Sequence, residues 1–154
     1  MTPRIALLVS DYHTVVTDGL EAGARAALRE AGWHDDHIDR LSVPGAYELA
    51  QAAKRVAETG RVGAVVCLGC LIRGETPHFD YIAQAAAHGI MYAAQSTGVP
   101  VSFGLLTTNT AEEALARSNE GPSNKGREAA QAAVAMLRLY QQLAAADRTG
   151  ASWE

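Results

Sequence analysis

The chain has 154 residues, of which 48% are hydrophobic and 19% are charged, and its formal net charge is −4 at pH 7. This length and composition are typical of a single globular domain, residues 1–154, with a core of its own. The negative charge and the lack of a basic run argue against nucleic acid or an anionic membrane surface as partner. We find neither a signal peptide nor an apolar run long enough to cross a bilayer, so we expect a cytoplasmic protein.

Strand and helix patterns alternate along the chain. The predicted strands are residues 3–10, 37–43, 62–71 and 100–107, and the predicted helices are 14–32, 47–59, 77–97, 110–117 and 126–146. The strand at 37–43 is short and polar, which favours an edge of the sheet, whereas 62–71 is apolar throughout and favours a strand buried on both faces. Thr110 and Glu113 have the spacing of a capping box. The tail from about residue 147 is predicted to fray.

This order of elements predicts an α/β fold with three layers, α/β/α. Right-handed crossovers between successive strands give a four-stranded parallel sheet with helices on both faces, as in flavodoxin-like folds. Ligands bind such sheets beyond the carboxyl ends of the strands. Aromatic, histidine, carboxylate, arginine and hydroxyl side chains collect at those ends here.

Cys67 and Cys70 have the CxxC spacing of metal and redox sites. Both lie within a predicted strand, where residues three apart point to opposite faces of the sheet. We therefore interpret them as small core residues, and we expect no metal site.

The segment after the third predicted strand carries the strongest functional signal. Gly74 permits unusual backbone angles, and Thr76 and Pro77 suit the N-cap and the first position of the next helix. The free N–H groups of such a helix start form an anion site, although a capped turn with nothing bound would have the same sequence. His78 adds an acid–base group whose imidazolium form is disfavoured by the positive end of the helix dipole. The combination indicates chemistry on a phosphorylated substrate.

Four segments of the chain resemble the lumazine synthase family. They are Val43-Pro-Gly-Ala-Tyr-Glu48, Ile72-Arg-Gly-Glu-Thr-Pro-His-Phe-Asp-Tyr81, Phe103-Gly-Leu-Leu-Thr-Thr108 and Asn124-Lys-Gly126. The first two segments together are specific, and the resemblance extends over about residues 5–140. It implies condensation of 5-amino-6-(D-ribitylamino)uracil with 3,4-dihydroxy-2-butanone 4-phosphate to 6,7-dimethyl-8-ribityllumazine, the precursor of riboflavin. It also implies no cofactor, no covalent nucleophile, and active sites between adjacent subunits of a pentamer.

The resemblance assigns a role to each matching residue. His78 would transfer protons. The substrate-binding residues would be Tyr12 and Phe103 (stacking on the heterocycle), Ala46, Tyr47 and Glu48 (ribityl chain), Leu71 and Ile72 (backbone contacts to the pyrimidine), Gly74, Glu75, Thr76 and Arg117 (phosphate), and Lys125 (near the site). Phe103 and Arg117 would reach the site of a neighbouring subunit. Judged without the resemblance, Tyr12 and Phe103 also suit the core, Glu48 a helix N-terminus, and Arg117 a solvated surface.

Several positions leave alternatives open. Asp80 either orients His78 or lies on the helix surface, and Arg73 supports either the turn or a subunit interface. His13 stands where the family usually has Asn, which bears on pyrimidine recognition and its pH dependence. Residues 118–123 replace a Gly- and Lys-containing loop without an insertion, which favours a 60-subunit shell over a lone pentamer, although Pro122 weakens that inference.

Two functions from other classes compete with the enzyme. One is a module that binds a flavin or lumazine without turnover, and the other is a scaffold whose assembly into a shell is its function. His78, Thr76 and Arg117 together argue against a pure binding module, because such a module needs no proton transfer beside a phosphate site.

Overall fold

The computed structural model describes residues 2–153. It contains four strands and five α-helices: β1 (Ile5–Ser10), α1 (Thr14–Glu30), β2 (Ile38–Val43), α2 (Ala46–Glu58), β3 (Ala64–Ile72), α3 (His78–Thr97), β4 (Val101–Thr108), α4 (Ala111–Ser118) and α5 (Lys125–Thr149). The strands form one parallel sheet in the order β2-β1-β3-β4. The predicted α/β fold and the edge position of β2 are thus confirmed. No helix within residues 2–153 combines the length and apolarity that a membrane span requires.

The helices cover both faces of the sheet, which makes three layers. Strand side chains alternate between the faces, because successive residues of a strand point in opposite directions. On one face Leu7 and Leu68 pack with α1, α4 and α5, and on the other Leu8 and Val65 pack with α2 and α3. Burying one such leucine contributes about 1.5–3 kcal/mol. The central strand β1 is buried along its whole length, as a strand covered on both faces must be.

Helices α1 and α5 are joined at two levels. Gly126 lies so close to α1 that a Cβ atom there would stand 2.0 Å from the carbonyl oxygen of Leu20. At the outer edge, Arg127 donates to both carboxylate oxygens of Glu30, at 2.6 and 2.8 Å, across 97 positions of sequence. Only glycine permits the close approach of these two helices at residue 126.

Several boundaries differ from those predicted. Strand ends agree within one or two residues, but α5 continues to Thr149, three residues beyond the predicted end at 146, with Gly150 in the left-handed region as its C-cap. The fraying of the tail stays a prediction. Glu154 lies outside the described residues. A 3₁₀ turn, Asp35–His37, was also not predicted. Ala146 is buried, and its packing stabilises the end of the last helix. The alanine-rich sequence alone does not predict this contact.

Candidate active site

The carboxyl end of β1 turns into α1 at Tyr12 and His13. His13 adopts a left-handed conformation with φ of 60°, uncommon for a residue other than glycine. This turn lets the His13 carbonyl accept hydrogen bonds from the N–H groups of Val16 and Thr17, at 3.1 and 3.0 Å. The His13 ring packs edge-on against Tyr12, with 4.6 Å between ring centroids. Tyr12 is thereby held at the rim with 65% of its surface exposed, which excludes the core alternative.

The start of α2 stands beside this turn. Gly45 is the N-cap, and α2 begins at Ala46 with Glu48 in its first turn. The Glu48 N–H donates to the Gly45 carbonyl at 3.2 Å, whereas the N–H groups of Ala46 and Tyr47 have no protein acceptor within residues 2–153. These two donors face the end of the sheet and are free for ligand hydroxyl groups.

The loop of residues 73–77 links β3 to α3 and offers the same kind of donor. Within the described part of the chain, the N–H groups of Gly74, Glu75 and Thr76 donate to no protein acceptor. The helix begins one residue later than predicted: Pro77 is the N-cap of α3, and no side chain caps this end. The predicted N-cap role of Thr76 is therefore wrong, because the Pro77 carbonyl makes the first helical contacts, with Asp80 and Tyr81 at 3.0 and 3.3 Å. The Thr76 hydroxyl stays available for a ligand.

These three segments enclose the first cavity, of about 810 Å³. Its lining contains nine of the thirteen predicted site residues: Tyr12, Ala46, Tyr47, Glu48, Leu71, Ile72, Gly74, Thr76 and His78. The other lining residues are His13, Gly45, Phe79 and Ile82. An exposed aromatic rim, free N–H donors and an imidazole thus share one cavity. Glu75, also predicted to bind phosphate, lies outside this lining.

A second cavity, of about 490 Å³, runs along the outer edge of the sheet between β4 and α5. It contains the other three predicted residues, Phe103, Arg117 and Lys125. Phe103 is 45% exposed, so it is not a core residue. Arg117 donates to the Glu113 carbonyl at 3.0 Å and has no carboxylate partner within residues 2–153, whereas Lys125 pairs with Glu128 at 2.8 Å. The Arg117 guanidinium therefore keeps most of its donors for an anion.

The linings of the two cavities share no residue. The predicted site residues are therefore divided between two places on one chain. His78 and the free N–H donors belong to the first cavity, while the free cation Arg117 belongs to the second. A single chain does not bring all of the predicted residues together.

Asp80 does not orient His78. Its carboxylate pairs with Arg73, at 3.2 Å from Oδ1 and 3.3 Å from Oδ2, and no hydrogen bond joins it to the imidazole within residues 2–153. Asp80 thus lies at the helix surface, and Arg73 supports the turn.

Asn124 is the residue whose importance sequence reasoning missed. Its buried amide nitrogen lies 3.0, 3.0 and 2.9 Å from the carbonyl oxygens of Gly19, Ser118 and Asn119, which share its two N–H donors. Its Oδ1 caps α5 by accepting from the Arg127 N–H at 3.0 Å. The side chain thereby holds α1, the α4–α5 loop and the start of α5 together, and it places Lys125 at the second cavity. The signal available was an asparagine directly before a helical pattern, the usual N-cap position.

The cysteines lie where the strand pattern placed them. Cys67 packs on the α2–α3 side of the sheet and Cys70 on the α1–α5 side. Burial raises the pKa of Cys67 to about 12 and that of Cys70 to about 11, so both thiols stay protonated. Nowhere in residues 2–153 do three histidine, cysteine or carboxylate side chains meet in a group that could hold a metal ion.

Comparison with known proteins identifies the family. A family model described as 6,7-dimethyl-8-ribityllumazine synthase matches residues 2–141. A protein named 6,7-dimethyl-8-ribityllumazine synthase 1 from Caulobacter vibrioides is 48% identical over 141 residues, which is 92% of each chain. Proteins named 6,7-dimethyl-8-ribityllumazine synthase from Salinibacter ruber and Deinococcus radiodurans are 45% and 43% identical over 140 residues, 91% of this chain and 90% of theirs. On these matches and this fold, the chain belongs to the 6,7-dimethyl-8-ribityllumazine synthase family.

Proposed function

We propose that the protein condenses 5-amino-6-(D-ribitylamino)uracil with 3,4-dihydroxy-2-butanone 4-phosphate to 6,7-dimethyl-8-ribityllumazine, releasing phosphate and water. The single observation that carries this proposal beyond family membership is the first cavity. An exposed tyrosine, unpaired N–H donors from two helix starts and His78 line the same space. The tyrosine can stack on a flat heterocycle, and the N–H donors can bind a polyhydroxyl chain and a phosphate group.

The chemistry assigned to His78 is proton transfer. The amine of the pyrimidine attacks the ketone, and loss of water gives an imine. Phosphate is then eliminated, and the second amine attacks the remaining carbonyl and closes the ring with loss of a second water molecule. Each step moves a proton, and an imidazole within reach can act first as base and then as acid. The N–H donors of residues 74–76 and the Thr76 hydroxyl would hold the phosphate and stabilise it as it leaves.

The second cavity would complete the site of a neighbouring subunit. Arg117 carries a positive charge without a carboxylate partner in the described chain, and the first cavity holds phosphate donors without a cation in its lining. Docking the second cavity of one copy on the first cavity of the next would join them, with Phe103 covering the heterocycle. Such a head-to-tail contact forms a ring when the rotation between successive copies closes. We infer that the ring is a pentamer. We further propose that pentamers assemble into a 60-subunit shell, which the 118–123 loop favours because it has no insertion, and that the protein is cytoplasmic.

A steady-state assay that follows lumazine fluorescence tests the reaction. Product that depends on both substrates supports the proposal. Tight binding of lumazine or riboflavin without product would favour the binding module instead. A well-folded assembly with neither turnover nor binding would leave the scaffold function.

Arg117→Ala gives the complementary test of the phosphate assignment. We expect it to weaken use of the phosphorylated ketone by roughly tenfold to a hundredfold, the value of one charge-assisted hydrogen bond. If the rate keeps its dependence on the phosphate group, Arg117 does not bind it. Arg55→Ala, on the exposed face of α2 away from both cavities, is the matched control.

A further inference from the structure

Arg73 lies directly after β3, and its backbone is fixed by the neighbouring strand. The last residues paired between β3 and β4 are Ile72 and Thr108. Beyond that pair, the Arg73 N–H donates to the Thr108 carbonyl at 2.9 Å. The start of the 73–77 loop is therefore anchored to the sheet.

The Arg73 side chain contacts three groups on two other segments. Its Nε donates to Oδ1 of Asn109, after β4, at 3.1 Å. A terminal nitrogen pairs with the Asp80 carboxylate at 3.2 Å, and the guanidinium carbon stands 4.5 Å from the centre of the Phe79 ring. Because a guanidinium is planar and forked, it can make the edge contacts and the stacking contact at the same time.

The contact with Asp80 spans seven positions and closes a ring around residues 74–79. That enclosed segment contains the free N–H donors and His78. Gly74, at the start of this segment, supplies no restraint of its own, since even a Cβ atom there would meet nothing within 4 Å. The ring thus restricts the positions that the N–H donors and the imidazole can occupy before a ligand binds.

Arg73 itself does not line either cavity. Its Nε and one terminal nitrogen donate to Asn109 and Asp80. We propose that Arg73 is a positioning residue, which holds the phosphate-binding loop and His78 against the end of β4 through Asp80, Asn109 and Phe79. This inference rests on the proposed function, because the anion that the positioned loop would bind is the phosphate of the ketone substrate.

Three variants test the proposal: Arg73→Ala, Arg73→Lys and Asp80→Asn, with Arg55→Ala as control. For Arg73→Ala we expect a loss of roughly tenfold to a hundredfold in kcat/KM for the phosphorylated ketone, the size of effect expected when reacting groups are misplaced by about 1 Å. The KM for the pyrimidine should stay within about twofold, because Tyr12 and Glu48 lie outside the ring. Asp80→Asn keeps an acceptor for Arg73 and should lose less, in the same direction.

The lysine variant separates positioning from charge. Arg73→Lys keeps the positive charge but loses the fork and the stacked plane, so we expect it to resemble Arg73→Ala. If Arg73→Lys had the kcat/KM of the wild type, the proposal would be overturned, because the positive charge of residue 73 alone would then account for its effect. An equal loss for both substrates, or no loss in a folded assembly, would also overturn it.

Calorimetric titration with inorganic phosphate keeps this test separate from the proposed reaction. We expect wild-type protein to bind phosphate and both Arg73 variants to bind it more weakly, whether or not the assay detects product. Absence of product from wild-type protein would contradict the proposed reaction alone, whereas equal phosphate affinity in all variants would overturn the role of Arg73. If Arg73→Ala fails to fold, as judged by circular dichroism and particle size, the lysine and Asp80→Asn variants decide the question.

Discussion

Exposed aromatic side chains mark both cavities at the scale of single residues. Tyr12 and Tyr47 leave 65% and 57% of their surface in the solvent, and Phe103 leaves 45%. Removing this apolar surface from water is favourable, and a flat heterocycle can cover a ring face without a conformational change. We therefore expect ligand binding, together with the neighbouring subunit of the proposed assembly, to bury these rings.

His78→Ala tests the acid–base role. Because a general acid–base group contributes about 10²–10⁴-fold, we expect kcat to fall by about that factor, while pyrimidine binding changes by no more than about twofold. Stopped-flow fluorescence gives the rate, and equilibrium titration gives the affinity. His88→Ala, on an exposed position of the same helix outside both cavities, should keep normal turnover. An unchanged rate in His78→Ala would remove it from the mechanism.

At the scale of elements, two helix starts converge on the first cavity. Helices α2 and α3 lie on the same face of the sheet and begin at the same edge, after β2 and β3. Each start carries unpaired N–H groups and a partial positive charge. The cavity thus has two donor clusters before any charged side chain contributes, which suits the polyhydroxyl chain and the phosphate of the proposed substrates.

Asn124→Ala tests how strongly one buried amide joins the elements on the other face. Three carbonyls and one N–H group lose their partner, so we expect the free energy of unfolding to fall by about 2–3 kcal/mol. Chemical denaturation of the assembled protein measures it. Asn119→Ala changes an exposed asparagine in the same loop and should stay within about 0.5 kcal/mol of wild type. Equal stability of both variants would contradict the role that we assign to Asn124.

Glu21 gives a pH-dependent test of the link between α1 and β2. Burial alone would raise the pKa of Glu21, but hydrogen bonds from Arg40 and Arg25, both at 2.9 Å, lower it below its ordinary value. A lowered pKa in the folded state stabilises the fold above the unfolded pKa, about 4.3, and that stabilisation is lost as the pH falls through the folded value.

We therefore expect Glu21→Gln to lower the free energy of unfolding by about 1 kcal/mol at pH 7 and by much less at pH 3. Thermal unfolding at both pH values measures the difference. Glu120→Gln removes an exposed carboxylate that has no ion pair in the described chain, and it should show no such pH dependence. If Glu21→Gln lowered the free energy of unfolding equally at pH 7 and pH 3, the lowered pKa assigned to Glu21 would be contradicted.

The order and type of the elements were predictable because each is signalled locally, by an apolar run or by a helical repeat. The start of α3 was predicted one residue early because the usual preferences place Thr at the N-cap and Pro at the first helical position, whereas here Pro77 itself is the N-cap and the helix begins at His78. The partner of Asp80 could not be predicted, since Arg73 reaches it only after the 73–77 loop has turned back on itself. The division of the site residues between two cavities also depends on strand order, which no local pattern contains.

At the scale of the whole molecule, the divided site makes a prediction about mixtures of subunits. His78→Ala lacks the acid–base group of the first cavity, and Arg117→Ala lacks the cation of the second. If each site is shared by two neighbouring subunits, some sites of a mixed assembly combine an intact His78 from one variant with an intact Arg117 from the other. Random mixing in equal amounts should restore about a quarter of the wild-type sites.

Co-expression of the two variants, followed by the steady-state assay, measures the recovered rate. Mixing the two separately purified assemblies without subunit exchange is the control and should recover nothing. A co-expressed mixture with no more activity than the two variants alone would contradict a site shared between subunits.

The contact between α1 and α5 also has a consequence for synthesis. The pairing of Glu30 with Arg127 spans 97 positions, so α1 leaves the ribosome long before its partner helix exists. At the usual rate of translation this interval is on the order of ten seconds, during which the apolar stripe of Leu20, Ala24 and Leu28 lacks the helix that covers it. Nascent chains that stop before Lys125 should therefore bind holding chaperones that the finished chain releases. We therefore expect folding of this protein to be completed only when its last helix emerges.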